Sequence, residues 1–163
     1  MSRKPSAAAE QRGLELAGVL DALKRGLGER LRSAVLFGSR ARGDADEWSD
    51  WDLLVIAHDL PEKALRRHLW LKEMLPDAWR SRVAILAKTP DEFAARLPAL
   101  YLDIALDGVV LYDADGEITR RLAGLRRLIR EQGLRREGTQ RDMTWGWKRF
   151  PGFDWSLEWE MAQ

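Results

Sequence analysis

The 163-residue chain contains no cysteine and no long apolar run. The missing thiols exclude disulfides, thiolate zinc sites and a cysteine nucleophile. The longest apolar stretches are far shorter than a membrane span, and the N-terminal MSRKPSAAAEQRG has no apolar core typical of a signal peptide. A formal charge of +1 gives no general attraction to nucleic acid or membrane. We expect a soluble cytoplasmic protein.

Histidine is also scarce, since the sequence has only His58 and His68. Neither has a second histidine or a carboxylate at a spacing typical of metal ligands. We expect both to lie on the surface, so any catalytic chemistry must come from other side chains.

Short apolar runs alternate with stretches of helical periodicity, which predicts an α/β domain. We expect one domain over residues 1–138 with its core at about 33–112, followed by a tryptophan-rich tail over 139–163. In the second helix, Leu65, Leu69 and Met74 are predicted to share the packed face. Thr89 and Glu92 are spaced as a capping box at the start of the third helix. The predicted strands are 34–37, 53–57, 83–87 and 109–112, and the predicted helices are 8–27, 61–75, 90–107 and 118–132.

Two carboxylates, Asp50 and Asp52, stand one residue apart at the head of the second predicted strand. Residues i and i+2 of a strand point to the same side, so the two carboxylates should converge while Trp51 points away. Like charges this close repel each other unless a cation lies between them. Magnesium suits that position because it prefers hard oxygen ligands, whereas capping of a turn is the simpler alternative for so short a pattern.

A Gly-Ser pair, Gly38 and Ser39, ends the first predicted strand. A glycine lets the backbone turn sharply and approach a ligand, and Ser39 offers a hydroxyl and a main-chain N–H to an anion. Arg40 and Arg42 follow, either as further phosphate contacts or as ordinary surface charge. A phosphate held here would face a metal held by Asp50 and Asp52, which is the minimum needed for nucleotidyl transfer.

The strings GSRARG and SDWDLLV, with ten residues between Ser39 and Asp50, resemble the signature of the polymerase beta-like nucleotidyltransferase superfamily. Within it, the sequence looks like the minimal, antitoxin-type nucleotidyltransferases. The resemblance implies a small mixed sheet with packed helices. It also implies a nucleotide bound at Gly38 and Ser39, and Mg²⁺ or Mn²⁺ held by Asp50 and Asp52. The family reaction moves AMP, or another nucleoside monophosphate, from ATP or another NTP onto a hydroxyl of a protein or small molecule. Minimal members often pair with a helical HEPN toxin.

The family pattern usually has a third carboxylate on a later strand, and this sequence lacks it. The corresponding strand reads SRVAILAK, and the position aligned with the acid is near Ala84. Asp77, Asp91 and Glu92 are the nearest acids, and capping is their simpler role. Two functions therefore stay open. The chain is either a metal-dependent nucleotidyltransferase, or a weak or inactive nucleotidyltransferase fold that neutralises or scaffolds a helical partner.

The C-terminal third is rich in arginine and tryptophan. Eight arginines occur from Arg120 to Arg141, and five of them lie on the predicted helix 118–132, whose leucines recur at helical spacing. They form either a solvated face or a site for polyphosphate, RNA or an acidic partner; the overall charge does not favour nucleic acid. Four of the eight tryptophans lie in the last 19 residues. That tail either completes the domain's own core or binds a partner protein.

Overall fold

The computed structural model describes residues 6–139 and 142–163, and its helices and strands alternate as the sequence predicts. In the described part, no helix is long and apolar enough to cross a membrane. The strands are β1 (Leu31–Phe37), β2 (Trp51–Ala57), β3 (Val83–Lys88), β4 (Val109–Asp113), β5 (Leu134–Glu137) and β6 (Thr144–Trp147). The α-helices are α1 (Ala7–Glu15), α2 (Ala17–Leu27), α3 (Gly38–Arg42), α4 (Ala64–Met74), α5 (Asp77–Arg80), α6 (Pro90–Ala95), α7 (Ala99–Asp107) and α8 (Glu117–Glu131). Two short 3-10 helices lie at Gly28–Arg30 and Trp159–Ala162.

The main sheet has four strands in the order β3-β2-β1-β4. β1 pairs antiparallel with β2 and β4, whereas β2 and β3 are parallel. The sheet is therefore mixed, which confirms the expected fold. The parallel pair is possible because α4 and α5 form the crossover between β2 and β3.

Both faces of the sheet are covered, because apolar residues of the central strands alternate between two cores. Val35 and Leu54 pack with α6, α7 and α8 on one face. Leu36 and Leu53 pack with α2 and α4 on the other. These four side chains are at most 1% exposed, so the sheet is the middle layer of three.

Two of the predicted helices are each divided in the structure. The helix expected at 8–27 is interrupted at Leu16, whose backbone leaves the helical conformation with ψ near 4°. The helix expected at 90–107 ends at Ala95, and α7 begins after Pro98. Proline cannot donate to the preceding turn, and it disfavours a helical conformation in the residue before it.

The predicted packed face of α4 was wrong for Leu65 and Leu69, whereas Met74 packs against the core as expected. Leu65 and Leu69 are 72% and 54% exposed, while Leu71 is buried and Arg67 is only 7% exposed. Arg67 is buried because its guanidinium donates to both carboxylate oxygens of Glu92, at 2.7 and 3.0 Å, and to two backbone carbonyls. The spacing of apolar residues alone does not reveal a buried arginine, and so it predicted the wrong face of α4 at Leu65 and Leu69.

The C-terminal segment packs on the rest of the chain. β5 and β6 form an antiparallel hairpin that includes the boundary expected between residues 138 and 139. The final 3-10 helix lies on α8 at Gly124, where a Cβ would overlap the carbonyl oxygen of Ala162. The Trp159 indole N–H donates to the carbonyls of Phe93 and Arg96. Arg141 and the first five residues lie outside the described residues, whereas Phe150 and Phe153 remain exposed.

Candidate active site

Gly38 joins β1 to α3 in a conformation that requires glycine. Its φ is +72°, and a Cβ at this position would overlap Oδ2 of Asp52 on the neighbouring strand. The missing side chain thus lets the Asp52 carboxylate lie against the backbone at the start of α3. Ser39 follows directly and is half-buried, so the Gly-Ser pair and Asp52 are brought together as the sequence predicts.

Asp52 is the second residue of β2, whereas Asp50 is exposed and precedes the strand. Trp51 between them is buried against the edge of the Trp79 ring, so it points into the protein as expected. The pKa of the Asp52 carboxyl is raised, first by burial and then by the charge of Asp50, and Arg42 opposes the shift. The two carboxylates and Arg42 therefore interact electrostatically.

The loop between α3 and β2 is held by two sets of hydrogen bonds. The Asp46 carboxylate accepts from the Trp48 N–H at 3.0 Å and from the Ser49 hydroxyl at 2.9 Å. Arg40 donates from Nε and Nη2 to the Ser49 carbonyl, at 3.2 and 3.0 Å, and its guanidinium lies 4.9 Å from the centre of the Trp51 ring. Arg40 therefore fixes the residue that precedes Asp50. The same loop leaves Trp48 85% exposed.

Arg42 pairs with Asp44, a residue that the sequence analysis did not identify. The Arg42 Nε donates to Asp44 Oδ2 at 3.1 Å. The other carboxylate oxygen, Asp44 Oδ1, is buried and has no hydrogen-bond partner among the described residues. Its position two residues after Arg42 is the one sequence signal that was available, because Asp and Asn often follow a short helix as turn residues.

No acid lies at the position expected for a third carboxylate. Ala84 of β3 pairs in register with Asp52 of β2, so a methyl group occupies the neighbouring position on that face. Among the described residues, no group of three or more histidines, cysteines or acids is arranged to hold a metal. The nearby acids act elsewhere, since Glu92 forms the capping box with Thr89 and Asp77 pairs with Arg80.

Comparison with known families and proteins agrees with this geometry. Residues 16–92 match the model of the nucleotidyltransferase domain. Over 56 residues the chain is 48% identical to MJ1305, a candidate protein adenylyltransferase of Methanocaldococcus jannaschii. That match includes 34% of this chain and 38% of the relative.

Two solved structures share the fold. A toxin–antitoxin structure with AMP-PNP superposes with a TM-score of 0.51 and 19% identity, over 69% of this chain and 86% of that one. A mutant of the MntA–HpeT toxin–antitoxin gives a TM-score of 0.51 and 18% identity, over 69% and 85% of the two chains. At these sequence identities, the comparison shows a shared fold only.

Proposed function

We propose that this chain, whose residues 16–92 match the nucleotidyltransferase domain model, transfers a nucleoside monophosphate from an NTP to a hydroxyl group. The acceptor oxygen bonds to the α-phosphorus, the bond from that phosphorus to the bridging oxygen breaks, and pyrophosphate leaves. The acceptor's proton passes to water or to a base. The approach of Asp52 to the Gly38 backbone carries the proposal, because it places a carboxylate beside the glycine turn at the start of α3.

Asp50 and Asp52 would hold the divalent cation, Mg²⁺ or Mn²⁺. The residues fit such an ion because they supply hard oxygen ligands, and because the raised pKa of Asp52 reflects burial and the neighbouring charge of Asp50. When bound, the ion would neutralise charge on the phosphates. Asp50 remains exposed and Asp52 half-buried, so one side of the pair stays open to a nucleotide.

Gly38, Ser39 and Arg42 would bind the phosphates of ATP or another NTP. The Ser39 hydroxyl and the first N–H groups of α3 offer donors beside Asp52. Arg42 already interacts with Asp52 through its charge, so it suits a phosphate contact. Arg40 is committed to the Ser49 carbonyl and the Trp51 ring, and we assign it to positioning the loop.

A second function is favoured by one observation, the methyl group of Ala84 beside Asp52. Loss of a general base typically slows a reaction ~10²–10⁴-fold. The fold would then act mainly as a binding module for a helical toxin-like protein, as the toxin–antitoxin context of a fold relative suggests. Both functions use nucleotide and partner, and they differ in whether covalent transfer occurs.

The test is incubation with α-labelled ATP, MgCl₂ and the protein encoded beside this chain. We expect label on that partner, lost in Asp50→Asn and Asp52→Asn and retained in the control Asp77→Asn, which changes an exposed acid on α5. Label that persists in both site variants would contradict the proposal. Tight partner binding without label, unchanged in the variants, would select the binding module.

A further inference from the structure

A cleft of about 580 Å³ opens between the active-site loop and the turn of the C-terminal hairpin. We name it the hairpin cleft. Its volume is within the range of ligand pockets, roughly 300–1,000 Å³. The described residues that line it are Arg42, Asp44, Arg136, Gly138, Thr139 and Met143.

The hairpin wall of this cleft is fixed to α7 by polar contacts. Arg136 donates to both carboxylate oxygens of Asp107 and, at 3.2 Å, to Asp103. The Trp145 indole N–H donates to Asp103 at 3.2 Å. These contacts fix both strands of the hairpin, so Gly138, Thr139 and Met143 are held beside Arg42 and Asp44.

The hairpin cleft and the candidate active site share Arg42. Arg42 lines the cleft, and its charge also acts on Asp52. A ligand whose phosphates lie at Gly38 and Ser39 would therefore reach the hairpin cleft by passing Arg42.

The charges in the cleft favour an uncharged part of a ligand. Arg42 lies at the end of the cleft nearest Asp52, where it would contact the phosphates. Among the described residues of the cleft, Arg136 is paired with two aspartates and Asp44 with Arg42, so the part of the cleft beyond Arg42 offers little attraction to a further phosphate. The nucleoside end of an NTP carries no charge at neutral pH and fits this environment.

The polar groups in the cleft favour a ligand that donates hydrogen bonds. In the part of the chain that the structure describes, Asp44 Oδ1 is a buried acceptor without a partner, and a buried polar atom left unpaired costs about 1–3 kcal/mol. Ribose hydroxyls and exocyclic amines of bases are donors. Met143 is half-buried and offers a polarisable thioether, which makes favourable contacts with aromatic rings.

We propose that the hairpin cleft binds the ribose and base of the NTP, with Asp44 as acceptor and Met143 against the base. This inference rests on the proposed function, and it makes the C-terminal hairpin the determinant of nucleotide preference. The family match ends at residue 92, well before the hairpin.

The experiment compares ATP with inorganic triphosphate, which has the phosphates but no nucleoside. Calorimetry would measure both affinities in the full chain with Mg²⁺, for wild type, Asp44→Ala, which removes the acceptor, and Met143→Ala. Each variant should bind ATP about tenfold more weakly, as expected for one lost contact. The triphosphate affinity should change less than about twofold in Met143→Ala, because only the nucleoside contact is removed. The matched controls are Asp77→Asn and Leu69→Ala, which change exposed residues elsewhere.

The outcomes separate this inference from the proposed function. Equal losses for ATP and triphosphate, or no loss for either, would overturn the inference. A wild-type chain that binds no NTP would overturn the proposed function itself, and the controls would then show no binding either. Circular dichroism melting of every variant checks folding, and Met143→Ala alone decides the inference if the Asp44 variant unfolds.

Discussion

Replacing Ala84 with aspartate would place a third carboxylate next to Asp52. The two residues are paired in register on β3 and β2, and paired side chains leave the same face of a sheet. Neighbouring strands lie about 4.8 Å apart, so the new carboxylate would lie roughly 5 Å from the Asp52 carboxylate. Ala84→Asp thus tests whether this face of the sheet is built around a cation.

The magnitude follows from that separation. Two like charges about 5 Å apart repel by ~3 kcal/mol at an effective dielectric constant of about 20. Asp52 and Ala84 are half-buried, and solvent reduces the repulsion, so we expect about 2 kcal/mol of lost stability without divalent cation. For a chain of this size that loss lowers Tm by roughly 4–8 °C.

Thermal unfolding with EDTA and with millimolar MgCl₂ measures the effect. Mg²⁺ should raise the Tm of Ala84→Asp more than that of wild type, whereas Ala84→Asn, which has the same shape without the charge, should respond like wild type. If the third acid also serves as a general base, the transfer rate should rise by about 10²-fold. An equal response to Mg²⁺ in the aspartate and asparagine variants would refute the assignment of this face to metal.

Three further changes test other parts of the structure. The pKa of Glu92 is lowered to about 2, mainly by its hydrogen bond from Arg67, so its stabilisation is complete above about pH 4.5 and is lost as the pH falls toward 2. Because solvent screens this pair, we expect the free energy of unfolding to be only about 1 kcal/mol lower at acid pH than at neutral pH. This difference should be absent in Glu92→Gln. Gly38→Ala should lower the free energy of unfolding, measured in urea, by about 1–2 kcal/mol because of the positive φ at this position. It should also weaken ATP binding, because the new methyl group displaces Asp52. Unchanged ATP affinity would contradict the site geometry. Gly124→Ala should lower the free energy of unfolding by ~1–3 kcal/mol and expose the final 3-10 helix to protease, because a Cβ would overlap the Ala162 carbonyl. Protease resistance equal to that of wild type would argue against the packing of this helix on α8.

The main sheet and the Gly-Ser and Asp-x-Asp positions were predictable because their signals are local. Gly38 ends an apolar strand, and the alternation around Trp51 fixes which side chains face in. The register of Ala84 against Asp52 agrees with the position where the missing acid was expected. A short-range rule, the period of a strand or a turn glycine, determines the first two outcomes, whereas the position of Ala84 was expected from the family resemblance.

The parts that were not predictable depend on contacts distant in sequence. Arg67 is buried by Glu92, 25 residues further along the chain. The hairpin has strands of only four residues, and Arg136 and Trp145 hold it against Asp103, so no local period marks it. Asp44 was not identified from the sequence, because such contacts between distant residues create the cleft that it lines.

The three-layer arrangement also limits how the chain can be divided for expression. The family match, residues 16–92, contains three strands of the main sheet and the helices of one face. The other face is covered by α7, α8 and the C-terminal turn. A fragment cut at the end of the match would expose Val35 and Leu54 to water and should aggregate. The unit recognised by homology is thus smaller than the unit that folds.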